Sequence, residues 1–253
     1  MRLSSCLALA AAAWLSLCGS AFAQAVTPEQ RTQFEKIIRE YLLKNPEILQ
    51  EAIAELEKRQ AVAEAEKHKQ AVKQHAEALF NSSRHVVVGN PKGDVNFVEF
   101  FDYNCGYCKR ALDDKLALMK SDPNLRVILK EFPVLGPGSQ EAARVGVAVR
   151  MQDKTGKKYF EFHQKLMTSR GAIDKARAIA AAREVGLDVA RIEKDLNSDE
   201  VKASLEESFK LAEALGLNGT PSYVIGGDVA VGAIGQSALR EKINLARCGK
   251  STC

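Results

Sequence analysis

Cys105-Gly106-Tyr107-Cys108 places two thiols three positions apart, where an apolar, aromatic run gives way to a helical one. The run Asn96-Phe97-Val98-Glu99-Phe100-Phe101 reads as a buried strand ending at Asp102-Tyr103-Asn104, and Lys109, Arg110, Ala111, Leu112 and Leu116 read as the opening of a helix. At such a junction the first thiol meets unpaired backbone N–H groups and the positive end of the helix dipole, which favour an anion. A thiol so placed ionises well below its free value of ~8.5, and the thiolate is the form that attacks a disulfide. The chemistry available to these residues is thiol–disulfide exchange. A zinc site would need two more ligands, and haem attachment needs a histidine where Lys109 stands.

The elements that must position this pair alternate along the chain. His85-Val86-Val87-Val88 is a short strand closed by Gly89-Asn90-Pro91-Lys92-Gly93-Asp94. The strand at 96–101 and the helix opened by the two thiols follow, and Leu125 to Phe132 is a third strand, ended by Pro133 and the Gly136-Pro137-Gly138 turn. A helical stretch fills about 139–216, broken near Gly156, Gly171 and Gly186. The tail returns to strand at Ser222 to Ile225, turns at Gly226-Gly227-Asp228, makes Val229 to Val231, and ends in a helix from Gln236 to Arg247. Strand, helix, strand, helical insertion, two strands and a helix is an α/β pattern with one sheet.

Two helices precede that pattern. Thr27-Pro28-Glu29-Gln30 is a capping box with proline at the first helical position, followed by an apolar stripe of Phe34, Ile37, Ile38, Tyr41 and Leu42. Asn45-Pro46-Glu47 restarts a helix that runs to about Phe80. Its first seam is Leu49, Ile53 and Leu56; a second, out of phase, is Val62, Ala65, Lys69, Val72, Ala76 and Leu79. This is not a clean long coiled coil. A surface helix laid on the domain and an oligomerisation stalk both fit, the stalk being favoured. His68 and His75 share this charged helix as solvated residues.

The chain has 253 residues with a net charge of +4, a balance that argues neither for nor against nucleic acid, so none is expected as a partner. Met1-Arg2, the apolar run Leu7 to Leu17 and Ala21-Phe22-Ala23 read as a signal peptide, cleaved after Ala23. Cleavage would remove Cys6, Cys18, Trp14 and Arg2, leaving four of six cysteines, a charge of +3 in place of +4, and no tryptophan. Four cysteines in an exported chain suit an oxidising compartment. The expected organisation is a signal peptide over 1–23, a helical extension over 24–81, and a catalytic domain over 82–253 with its insertion at about 139–216.

Residues from about 85 to 247 resemble the DsbA family of exported thiol–disulfide oxidoreductases. Three motifs carry the likeness: Val98 through Cys108, then Lys130-Glu131-Phe132-Pro133, then Gly219-Thr220-Pro221-Ser222-Tyr223-Val224. The N-terminal helices resemble those of the suppressor-of-copper-sensitivity (ScsC-like) branch. The resemblance implies a thioredoxin fold interrupted by a helical insertion. Cys105 would be the exposed nucleophile and Cys108 the resolving thiol, with Gly106 and Tyr107 tuning the thiolate between them. The family's strongest oxidants usually carry proline and histidine at those two positions. Thr220-Pro221 resembles the family's cis-proline, leaving the Thr220 backbone free for an extended client segment; an ordinary trans turn proline is the alternative. Glu99 stands where the family places an acid that relays the proton of the buried thiol, since a carboxyl buried there is costly. Strand alternation also permits an outward-facing Glu99.

Cys248 and Cys253 frame Gly249-Lys250-Ser251-Thr252, a loop that a structural disulfide could close; a second redox shuttle or a link to another chain are alternatives. His85 and His163 read as ordinary strand and helix residues. The expected function is a periplasmic thiol–disulfide oxidoreductase acting on unfolded or misoxidised client proteins, with isomerase or reductase favoured over oxidase. It would need no cofactor or metal. A membrane redox partner of DsbB or DsbD type and self-association through the N-terminal helices are expected. The alternative is a thiolate copper(I)-binding protein of the cell envelope using Cys105 and Cys108.

Overall fold

A computed structural model describes residues 26–253, so the signal segment expected over 1–23 lies outside the described residues. The chain divides into two compact units, one reaching Arg59 and one running from Gln60 to Cys253.

In the first unit, α1 (Pro28–Lys44) opens with the capping box: the Gln30 N–H donates to Thr27 Oγ1 at 3.2 Å and the Thr27 N–H to Gln30 Oε1 at 3.0 Å. No residue of α1 is buried, and Phe34, Ile37, Ile38 and Tyr41 are each 54–60% exposed. The next helix, α2 (Glu47–Gln74), begins in this unit, where Leu49, Ile53 and Leu56 are also exposed. It ends in the second unit, where a π-type turn at Glu77–Asn81 follows it. Within the stretch expected as an extension, Val72 and Leu79 are buried in the core of the second unit.

The second unit is built on a sheet of five strands among the described residues: β1 (Val86–Gly89), β2 (Val95–Phe101), β3 (Leu125–Glu131), β4 (Ser222–Ile225) and β5 (Asp228–Val231). Their order is β1-β3-β2-β4-β5. β2 and β3 are parallel; the other three pairings are antiparallel. The parallel pair is joined through α3 (Gly106–Ser121), the crossover that a parallel connection requires. Between β3 and β4 lies the insertion: α4 (Pro137–Gln152), α5 (Lys157–Thr168), α6 (Lys175–Glu184), α7 (Val189–Asp195) and α8 (Asp199–Ala214). The chain closes with α9 (Gln236–Cys248). This is the thioredoxin fold with a helical insertion that the motifs implied.

Both faces of the sheet are covered, so β2 is buried almost throughout. Phe97 and Phe101 enter one core with Val127, Leu129, Tyr223, residues of α3 and most of the insertion. Val98 and Phe100 enter the other with Ile128, Val224, Val72, Leu79 and Leu211. Glu99 therefore has no outward face to occupy: it is 1% exposed. No described helix is long and apolar enough to cross a membrane.

Candidate active site

The loop after β2 is tied down before it reaches the first thiol. Asp102 is buried, and its carboxylate accepts from the Asn104 N–H at 2.7 Å, Ser139 Oγ at 2.7 Å, and the Val134 and Leu135 N–H groups at 2.9 and 3.0 Å. Asn104 extends the latch into the insertion: Nδ2 donates to Ser139 Oγ at 3.0 Å and the Ile173 carbonyl at 2.8 Å, and Oδ1 accepts from the Ile173 N–H at 2.6 Å. One residue on, Cys105 is the N-cap of α3, with extended backbone.

The Cys105 sulfur accepts the Cys108 N–H at 3.3 Å, and its thiol donates to the Thr220 carbonyl at 3.1 Å. The Thr220–Pro221 peptide bond is cis. Cys105 is lowered to about 6, first by the hydrogen bond from the Cys108 thiol; burial opposes this, and the Thr220 side chain and the backbone of Cys108 and Tyr107 add to it. Cys108 moves the opposite way. Burial pushes its thiol up, the hydrogen bond to Cys105 adds to this, and the Glu99 charge adds again. The two thiols are thus separated into one ready to ionise and one held protonated. Both are free, so the structure is the dithiol state.

Below the pair, Glu99 Oε2 accepts from Lys115 Nζ at 2.5 Å, both side chains being essentially inaccessible. Lys115 stands two turns after Cys108 on the same buried face of α3, with Ala111, Leu112 and Leu118. Glu99 Oε1 has no partner among the described residues. Lys115 Nζ also lies 3.2 Å from His163 Nε2, on α5. To one side, Glu131 Oε1 accepts from the Tyr103 and Tyr159 hydroxyls at 3.0 and 2.7 Å, and burial pushes its carboxyl up to about 8. At the surface, Tyr107 is 60% exposed with the Arg110 guanidinium 4.3 Å above its ring.

Residues 97–244 match the DSBA-like thioredoxin domain family. The chain belongs to that family. Residues 30–63 of this DSBA-like protein match the copper resistance protein ScsC N-terminal domain. Among solved structures, a thioredoxin-like oxidoreductase from Silicibacter pomeroyi DSS-3 is 43% identical with a TM-score of 0.64, over 68% of this chain and 96% of that one. The thiol–disulfide exchange protein alpha-DsbA2 from Wolbachia pipientis is 29% identical with a TM-score of 0.66, over 72% and 97%. BcfH of Salmonella enterica Typhimurium is 26% identical with a TM-score of 0.74, over 94% and 99%. The chain spans about a quarter of the length of the first curated relatives it matches, such as the Na(+)/H(+) antiporter NhaA of Herminiimonas arsenicoxydans, 28% identical over 65% of this chain and 26% of that one. It is also 24% identical to the probable disulfide bond formation protein D of Bacillus cereus, over 60% of this chain and 74% of that one. Its DSBA-like domain is a thiol–disulfide oxidoreductase domain.

The structure brings Cys105, Cys108, Thr220 and Pro221 together around one sulfur, with Glu99 beneath and Gly106 and Tyr107 at the helix start. One expectation is corrected: Cys105 is not exposed but 5% accessible, because the Thr220 carbonyl lies against its sulfur. Cys248 and Cys253 form a disulfide at the C-terminal end of α9, away from this cluster in sequence and joined to none of its residues by a hydrogen bond. Sequence reasoning missed Lys115, His163 and Asp102. The available signal for the first two was position: Lys115 falls on the apolar stripe of α3, and His163 on the stripe of Tyr159, Phe162, Leu166 and Met167 in α5. A polar residue on a core stripe is buried only with a partner.

Proposed function

We propose that this chain is a periplasmic protein thiol–disulfide oxidoreductase that acts on unfolded or misoxidised clients, as an isomerase or reductase in preference to an oxidase. The observation that carries the reading is the Cys105 sulfur at the start of α3, receiving the Cys108 N–H, with its thiol lowered to about 6.

The Cys105 thiolate attacks one sulfur of a client disulfide, breaking that bond, forming a mixed disulfide and releasing a client thiolate. In isomerisation a second client thiolate attacks the mixed disulfide and returns Cys105. In reduction the Cys108 thiol passes its proton to Glu99 and its sulfur attacks Cys105, releasing the second client thiolate. Two electrons then pass from the protein dithiol to the client. Gly106 and Tyr107 face the client beside Cys105, and Thr220-Pro221 offers it extended backbone. The ScsC-type N-terminal helices and Thr220 ahead of the cis-proline support the isomerase or reductase direction.

The leader read at Met1 to Ala23 supports export. The ScsC-type match and the exposed stripe of Phe34, Ile37, Ile38 and Tyr41 support self-association through residues 24–81. A membrane partner of DsbD type would keep the dithiol reduced; one of DsbB type would serve an oxidase.

The test is to incubate the pre-reduced protein with scrambled ribonuclease and follow recovered ribonuclease activity. Recovery that falls on deleting residues 24–59, which spares Val72 and Leu79 of the core, is expected. Fast oxidation of reduced clients without recovery would replace the isomerase by an oxidase. Stoichiometric copper(I) binding without any exchange would replace both by the metal-handling alternative.

A further inference from the structure

The helical insertion reaches the buried charges beneath the thiols through one side chain. His163 is 0% exposed on α5. Its ring stands edge-on to Phe101 at 4.6 Å between centroids and stacks on Phe160 at 6.2 Å, which leaves it little freedom to turn. Burial first, and the Lys115 charge second, hold His163 well below its ordinary value. The imidazole is therefore neutral. The ammonium of Lys115 can only donate, so Nε2 carries the lone pair and the proton lies on Nδ1. Lys115 thus divides its protons between two acceptors, Glu99 Oε2 at 2.5 Å and His163 Nε2 at 3.2 Å. Glu99 Oε1 is left without a partner among the described residues.

We propose that His163 is a positioning residue for thiol–disulfide exchange: by holding the Lys115 ammonium as a second acceptor, it confines Lys115 to Glu99 Oε2 and keeps Glu99 Oε1 open for the proton of the Cys108 thiol. Without Nε2, the unsatisfied ammonium proton turns to the nearest remaining acceptor, the same carboxylate, and covers Oε1. The transfer blocked is the one that accompanies resolution, in which the Cys108 S–H bond breaks, the proton goes to Glu99, and the new Cys105–Cys108 bond expels the client sulfur. The inference rests on the relay role proposed above for Glu99. The other titratable groups around the site are Cys105 and Asp114 on α3, Asp102 and Tyr103 in the preceding loop, Tyr159 on α5, Glu131 on β3, which accepts from those two tyrosine hydroxyls, and Tyr223 on β4, in register with Glu99. Neither these groups nor the Cys108 thiol is placed by a hydrogen bond on Glu99 Oε1 in the dithiol state.

The test follows a single turnover of the full-length reduced protein with oxidised glutathione, quenched by acid at intervals, between pH 5 and 9. Formation of the Cys105–glutathione mixed disulfide and its resolution by Cys108 are read separately. At neutral pH, His163→Phe should slow resolution by about tenfold, a fraction of what positioned proton transfer contributes, and leave formation within about twofold. His163→Gln, whose amide oxygen can replace Nε2 as acceptor, should restore the wild-type pH profile of resolution. Added to Glu99→Gln, His163→Phe should slow resolution no further, since both act through one oxygen. Wild-type resolution in His163→Phe, or slowing that multiplies with that of Glu99→Gln, overturns the proposal. If Glu99→Gln itself resolves at the wild-type rate, the relay reading fails; if it is slow and His163→Phe is normal, His163 alone loses its role. Should the phenylalanine variant not fold, His163→Met is read by the same criteria.

Discussion

Cys105 and Cys108 open α3, whereas Cys248 and Cys253 close off α9, and the two ends of a helix treat sulfur in opposite ways. At the first pair the sulfur meets the Cys108 N–H at 3.3 Å and the positive end of the dipole. At the second, Cys248 Sγ faces the Lys250 and Thr252 carbonyl oxygens at 3.9 Å, and Cys253 Sγ faces that of Asn244 at 3.4 Å. A thiolate is favoured at the one and opposed at the other. The first pair is buried and backed by Glu99 and Lys115; the second is exposed, and Gly249 in the left-handed region ends the helix beneath it. The contrast teaches that helix polarity and buried support, more than the presence of two neighbouring cysteines, separate a free pair set up to ionise from one held as a disulfide.

The largest effect that sharpens this contrast is on activity. Cys105→Ser should abolish recovery of scrambled ribonuclease, while the double change Cys248→Ser, Cys253→Ser should leave its rate within about twofold, since among the described cysteines Cys105 alone has an ionising environment. A large loss in the double variant would make the second pair a shuttle and end the contrast.

Next in size is the support beneath the first pair. Lys115→Met strands the Glu99 carboxylate in the core, which should cost roughly 3–5 kcal/mol in denaturant unfolding. Adding Glu99→Gln should recover part of that loss. No recovery would mean that Lys115 stabilises through packing alone.

Ionisation should also separate the pairs. In reduced protein, thiolate absorbance should titrate with a midpoint at about 6. Its folded value lies below the ordinary thiol value of 9.0, so Cys105 contributes stability that is full above 9 and lost as pH falls through about 6. The melting temperature of reduced wild type, minus that of reduced Cys105→Ser, should therefore rise between pH 6 and 9. A flat difference would refute the stabilised thiolate. Comparison with the variant removes the opposing contribution of Glu131, whose raised carboxyl stabilises the fold below its ordinary value of 4.5 and loses that effect as pH rises through about 8.

The smallest effect belongs to the second pair. Its disulfide closes a loop of five-residue separation, so breaking it should cost at most about 2 kcal/mol by loop entropy. The exposed tail makes the measured fall in melting temperature small. A loss well above that figure would show the tail to be an anchor of α9.

Local signals located most of the fold. Gly156, Gly171 and Gly186 all take positive φ where the helical stretch breaks, because only glycine enters that region without strain. The capping box at Thr27 also reappears in the structure, whereas the outward-facing Glu99 that strand alternation permitted does not, because β2 is covered on both faces. The end of α2 was less legible: Val72 and Leu79 share a seam with exposed Val62, and a seam does not say which of its residues meets a partner.

The sequence by itself determined the Cys105–Cys108 tetrapeptide frame, the strand and helix that flank it, and the proline motif that approaches it, because each is written in neighbouring residues. Tertiary structure decided what surrounds the sulfur. Thr220 lies 115 positions from Cys105 and covers it; Lys115 is 16 positions from Glu99, and His163 a further 48 from Lys115. Those separations carry no periodic signal. Only the folded sheet, with helices on both faces, turns a charged residue on an apolar stripe into a partner for another and leaves one oxygen of the Glu99 carboxylate without a partner among the described residues.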